Sequence, residues 1–168
     1  MSLAAAPLIP NDGSLTFSSS GGGVSWTLQY EDGDFKFGPT AEGQKDVEKF
    51  FTRGAFYAAR KTMDKVMPFS FTAHAVGFTD ATAKTAYNMV RKLGPWAGAT
   101  STLPTTAGDV WCLQTVFAGE RTNFGASADA SVTMKYCHME IEFSEGTPGK
   151  FTISGELYPY STDYFTEA

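Results

Sequence analysis

The sequence predicts a mainly β protein, an antiparallel β-sandwich or barrel with one flanking α-helix over about residues 80–93. Three observations carry this. Apolar and polar residues alternate at period two through seven or eight separate stretches, the mark of half-buried strands. One segment alone shows the three-to-four-residue apolar spacing of a helix together with start and stop signals. The chain of 168 residues carries 14 Phe, 7 Tyr and 3 Trp, bulky material for a core that needs no disulfide or metal to hold it. Many strands with one helix against them pack in layers, as a single domain over residues 1–168.

Residues 1–12, with small side chains plus Pro7 and Pro10, read as an extended N-terminal arm. Asp12-Gly13 opens the first strand, with Leu15 and Phe17 in alternation, and "SSSGGG" (18–23) is a flexible turn. "VSWTLQYEDGDFKF" (24–37) follows. Val24, Trp26, Leu28 and Tyr30 alternate with polar residues, Asp32-Gly33 supplies a turn, and Phe35 and Phe37 resume the alternation, so the stretch reads as a hairpin. Within 38–52, Val47, Phe50 and Phe51 suggest one helical turn, while "RGAFYAARK" (53–61) suggests a short strand. "VMPFSFTAHAVGF" (66–78) is a clear strand, with Phe69, Phe71, Ala73 and Ala75 on one face and Pro68 near its start.

The helix has Thr79 or Asp80 as cap, Ala83, Ala86, Tyr87, Val90 and Leu93 as its stripe, and Gly94-Pro95 as its stop. A loop over 94–109 is long enough to be functional or mobile. "VWCLQTVFAG" (110–119) is apolar on both faces, as a central strand should be. In the closing unit, Val132, Met134 and Tyr136 point one way and Cys137, Met139, Ile141 and Phe143 the other, which predicts a bulge or a change of contact surface. "SEGTPG" is a turn, and Phe151, Ile153 and Leu157 line the last strand.

Charge excludes some functions. The net charge is −5 and no basic run exists, which argues against tight binding of nucleic acid through its phosphates. Charged residues make up only 18%, below the roughly 25% of soluble proteins; this fits a surface that other proteins cover, or simply a Ser/Thr/Gly-rich β protein. Cys112 and Cys137 sit in apolar runs with no CxxC spacing and read as buried hydrophobes. "MSLAAAPLIP" has neither a charged leader nor a long apolar stretch, which predicts no signal peptide, no membrane span and assembly in a cytoplasm.

Little points to catalysis. GxSxG, GxGxxG and HExxH do not occur. His74 and His138 lie in strand patterns without a second ligand at metal spacing, and Glu140 and Glu142 alternate with apolar residues as on the solvated face of a strand. Glu31, Asp32 and Asp34 crowd the turn at 31–34 as turn residues rather than as a calcium loop. The expectation is therefore no enzyme, no cofactor and no metal.

The order of "DGSLTF", "VSWTLQYEDGDFKF", "RGAFYAARK", "PFSFTAHAVGF", the helix "DATAKTAYNMVRKL", "DVWCLQTVFAG" and "CHMEIEFSEGTPGKFTISGELY" resembles the tail tube (major tail) proteins of long-tailed bacteriophages and related tail-like particles. The resemblance spans nearly the whole chain through patterns rather than an invariant motif. It implies a β-sandwich or barrel with one helix, in hexameric rings stacked as a tube through which DNA passes without specific binding. The partners would be further copies and other tail proteins, and the location a virion tail assembled in the host cytoplasm. On that reading Val24, Trp26, Leu28, Tyr30, Phe35 and Phe37 belong to a sheet edge joining subunits, and Glu31, Asp32 and Asp34 contribute to a net negative lumen. Residues 38–52 and 94–109 are both candidates for the inter-ring loop. The alternatives are another virion component (tail terminator, minor tail or decoration protein), a ligand-binding β module using Trp96 as a platform, and an enzyme using His138 and Glu140.

Overall fold

The computed structural model describes residues 13–28, 34–38, 45–64, 66–75, 77–78, 81–119 and 130–168, the side chains of 45–47 and 61–64 excepted. The strands are β1 (Gly13–Ser18), β2 (Ser25–Leu28), β3 (Lys36–Phe37), β4 (Lys45–Thr52), β5 (Ala55–Asp64), β6 (Met67–His74), β7 (Leu113–Gly119), β8 (Ala130–Ser144), β9 (Lys150–Leu157) and β10 (Phe165–Glu167). Among the described residues there is one α-helix, α1 (Ala86–Arg91), between β6 and β7. Eight strands form an antiparallel sheet in the order β2-β1-β7-β8-β9-β6-β3, with β10 paired to β8, while β4 and β5 pair only with each other.

The sheet closes on itself because its inner face is aromatic. Phe17 of β1 stacks on Phe71 of β6 with centroids 5.5 Å apart, and Phe35 stacks on Phe117 at 5.2 Å. In the strand order β1 and β6 are separated by β7, β8 and β9, so these rings meet only if the two halves face each other as a sandwich. Leu15, Met67, Leu113, Met134, Ile153 and Leu157 fill the space between the halves. Phe78, Tyr87 and Met89 bring the α1 region onto the Phe143–Phe151 end of the core.

Period-two alternation names the buried face of a strand correctly, and here it misassigns some neighbours. The stretch 24–37 is not a hairpin: β2 pairs with β1 (Leu15 opposite Leu28, Phe17 opposite Trp26), and β3 pairs with β6. Either partner satisfies the same alternation, because pairing is decided by backbone bonds and packing elsewhere. The expected Asp32-Gly33 turn and the arm 1–12 lie outside the described residues. The "KDVEKFF" stretch is strand β4, not a helical turn, because its backbone pairs with β5.

The helix is shorter than the expected 80–93. Thr85, not Thr79 or Asp80, is its cap: its hydroxyl accepts from the Asn88 N–H at 3.1 Å and donates to the Phe78 carbonyl at 3.1 Å. These bonds hold Thr85 extended, so the helix cannot begin before Ala86. It ends at Lys92, which takes a left-handed conformation two residues before Gly94, itself at positive φ. The bulge expected in β8 is present: Leu113 faces Cys137 and Thr115 faces Met134, so β8 spends one more residue than β7 there. The side chains therefore change faces at Lys135–Tyr136, as β8 exchanges β10 for β9 as its neighbour.

Candidate assembly surfaces

Among the described residues, three surfaces have no partner within the fold. The first is the pair of sheet edges. Among the described residues β2 and β3 each pair on one side only, leaving backbone donors and acceptors on the other.

The second is the β4–β5 arm. Arg53 (φ 50°) and Gly54 (φ 84°) both take the positive φ of a tight two-residue hairpin turn. Residues 48–57 are all exposed, Phe51, Phe56 and Tyr57 at 61%, 64% and 76%. Phe51 and Phe56 meet edge to face at 6.1 Å, Glu48 pairs with Arg60 at 2.9 Å, and Arg60 lies over the Phe50 ring. The arm is thus ordered internally, yet its aromatic surface faces solvent.

The third is a groove of about 540 Å³ on the outer face of β3, β6, β9 and β8. Strand register builds it: His138, Glu156 and Pro68 form one cross-sheet row, and Glu140, Ser154, Ser70 and Lys36 the next. Pro68 gives it apolar surface, above the core-facing Phe37 and Phe69, and Glu140 and Glu156 give it carboxylates. Gly155 keeps the strands close here, since a Cβ would stand 2.4 Å from Phe69 Cζ and 2.5 Å from the His138 carbonyl oxygen.

The residues nominated from sequence fall in different places. Leu28 is buried, Trp26 lies 6.3 Å from Phe17, Phe35 stacks on Phe117 and lies tilted against Phe71, and Phe37 meets Phe165 at 5.7 Å. With Val24, these side chains pack against the chain's own core; among the described residues, β2 and β3 also leave backbone groups open. Tyr30, Glu31 and Asp32 lie outside the described residues. Asp34 accepts hydrogen bonds from the Thr72 N–H at 2.9 Å and from the Thr72 hydroxyl, clipping the start of β3 to β6. The arm aromatics were missed from sequence. The signal was there, in "FFTRGAFY": an X-Gly turn between aromatic, strand-forming runs.

Of the side chains weighed for chemistry, His138 is held by structural contacts. His138 Nδ1 donates to the Trp111 carbonyl at 3.0 Å, and the ring stacks on Tyr158. His74 lies six residues along β6 from Pro68, which is opposite the His138 row, so the two histidines are roughly 20 Å apart, too far for one ion. Trp96 is fully buried and offers no platform to a sugar. The 94–109 loop is pinned by Ser101, whose hydroxyl donates to the Val110 carbonyl at 2.9 Å and accepts from the Cys112 N–H at 2.9 Å. Cys112 and Cys137 are buried, and burial pushes their thiols up to about 11 and about 12.

Neither a protein-family model nor a curated protein matches the chain. Solved structures do. The sheath/tube terminator of an extracellular contractile injection system (PVC), in its extended state, matches with TM-score 0.59 and 4% identity over 100% of this chain and 99% of that one. The fold is shared with tube-terminating proteins. The tube terminating cap of the anti-feeding prophage matches with TM-score 0.52 and 8% identity over 99% of this chain and 93% of that one. A chain of the 6-fold symmetrised anti-feeding prophage baseplate matches with TM-score 0.54 and 6% identity over 98% and 97%. At these identities the likeness is one of fold, and it runs the full length of both partners.

Proposed function

We propose that this protein is a structural, non-catalytic subunit of a phage-tail-like particle, acting as a ring-forming component at the end of the tube, a terminator or cap. The observation that carries the reading is the whole-length likeness to a sheath/tube terminator and a terminating cap, with almost no residue of this chain or of the terminator left over. The open β2 and β3 edges and the exposed arm support it, because a free monomer has no use for either.

A second reading, the repeating tube subunit in stacked hexameric rings that conduct DNA, is favoured by the order of sequence motifs from "DGSLTF" to "GELY". In either case a conduit for DNA asks for a net negative wall, which an excess of 18 acidic over 13 basic residues permits. Asp34, held at the β3 edge, contributes to such a wall only if that edge borders the lumen.

Negative-stain microscopy of the purified protein separates the readings. Single rings that attach to the ends of tubes support a terminator or cap. Long hollow filaments from this chain alone support the tube subunit. A protein that stays monomeric at high concentration and binds no tube end overturns both.

A further inference from the structure

We propose that the β4–β5 arm of one copy docks in the β3–β6–β9–β8 groove of the next copy, so that the joint between subunits is head-to-tail. This rests on the reading of the chain as a ring-forming subunit and names the contact that builds the ring.

The arm needs an occupant for its surface. A lone two-stranded hairpin is marginal in water, and this one carries Phe51, Phe56 and Tyr57 exposed at 61% or more. Aromatic rings at that exposure are what a partner's concave surface covers. The groove has the matching form. Its volume of about 540 Å³ lies in the range of sites that enclose a compact group, and a two-residue turn flanked by aromatics is such a group. Its exposed apolar side chain, Pro68, meets rings, and its carboxylates, Glu140 and Glu156, meet cations.

Charge selects this pairing. Described arm residues 48–60 carry Lys49, Arg53 and Arg60 against Glu48 alone, whereas the groove carries Glu140 and Glu156 against Lys36 alone. Opposite signs steer the two surfaces together, and two arms would repel each other. The arm does not fill its own copy's groove, because its residues 48–57 are exposed. Arm and groove are different patches of one chain, so the joint is heterologous, and such joints close into rings or run on as filaments.

Complementation tests this. Phe56→Ser with Tyr57→Asp spoils the arm and leaves the groove. Ser154→Trp with Glu156→Lys blocks the groove and leaves the arm. All four positions are exposed, and circular dichroism checks that each variant folds. Each variant alone is expected to stay at the 18.1 kDa mass of one chain in light scattering. An equimolar mixture is expected to give a species of twice that mass and nothing larger, since one intact arm and one intact groove remain. If the wild type forms rings while either variant also does, or while the mixture stays monomeric, the arm–groove joint is wrong and the ring reading stands. If both variants form rings but lose attachment to tube ends, the arm's partner is another tail protein and the proposal fails. A monomeric wild type overturns the ring reading and this joint together.

Discussion

Lys92 stands in a backbone conformation that usually belongs to glycine. Its φ of 55° and ψ of 48° end α1, and its ammonium lies 4.9 Å from the centroid of the Trp111 ring. The left-handed conformation costs a residue with a Cβ roughly 1–2 kcal/mol, and a cation over an indole returns about 0.5–1 kcal/mol. Lys92→Gly removes both and is expected to leave stability within about 1 kcal/mol of wild type. Lys92→Ala keeps the strain and loses the cation, and is expected to be the less stable of the two by about 1 kcal/mol. Urea melts of the three proteins check this; an alanine variant as stable as the glycine variant would show that the conformation carries no strain. This explains why the helix end was misread from sequence. Gly94 is the residue that propensity favours for the role, but the bond from Trp111 Nε1 to the Met89 carbonyl and the Lys92 contact fix the end two residues earlier, through a tryptophan distant in the chain.

At the level of elements, the groove depends on Gly155 as much as on the residues that line it. An added Cβ would meet not only the movable tip of Phe69 but also the backbone oxygen of His138, which cannot move without opening the β8–β9 ladder. Gly155→Ala is expected to cost about 3 kcal/mol, the upper end for overpacking, and to speed amide exchange at Met139 and Phe69, opposite it in the register. An exchange pattern unchanged in those strands would count against the close approach. Elements were legible to different depths. The buried faces of β1, β6 and β9 follow from alternation, and the β8 bulge follows from its change of face. The partners of β2 and β3 do not, because β2 bonds to β1 and β3 to β6 across a stretch that looks continuous. The arm was half seen: alternation marked β5, but a Phe-Phe pair at helical spacing hid β4 until its backbone partner was known.

For the molecule as a whole, the two buried thiols contribute to the response to alkali, beside Tyr158 and Lys135, whose values are also raised. Both thiols start from 9.0, and burial raises them to about 11 and about 12 in the folded state. A raised value means that the folded protein holds its protons longer than the unfolded chain does. The associated stability is therefore complete below about pH 9 and is lost as pH rises from 9 through 11 and 12. Tm is expected to fall more steeply above pH 9 in the wild type than in the Cys112→Ala, Cys137→Ala variant, even though the variant starts lower at pH 7. Parallel curves for the two proteins would mean that the thiols do not contribute. The overall class, a mainly β sandwich with one helix, was readable from alternation and composition; the proposed arm–groove joint was not, because it depends on two patches that only the folded chain brings onto its surface.

The sheet order also has a consequence in time. Leu15 of β1 pairs with Phe117 of β7, so the second strand next to β1 is roughly a hundred residues away along the chain. A ribosome adding about 5–20 residues per second emits β1 and β2 about 5–20 seconds before β7 can reach them. Throughout that interval the β1–β2 ribbon lacks its second backbone neighbour, and the β4–β5 arm emerges meanwhile, its strands adjacent in the chain. The arm proposed to meet neighbouring copies can therefore emerge before the body that would receive them. Crowded synthesis of this chain then favours premature association, and slowing initiation so that nascent chains stand further apart should raise the yield of soluble subunits.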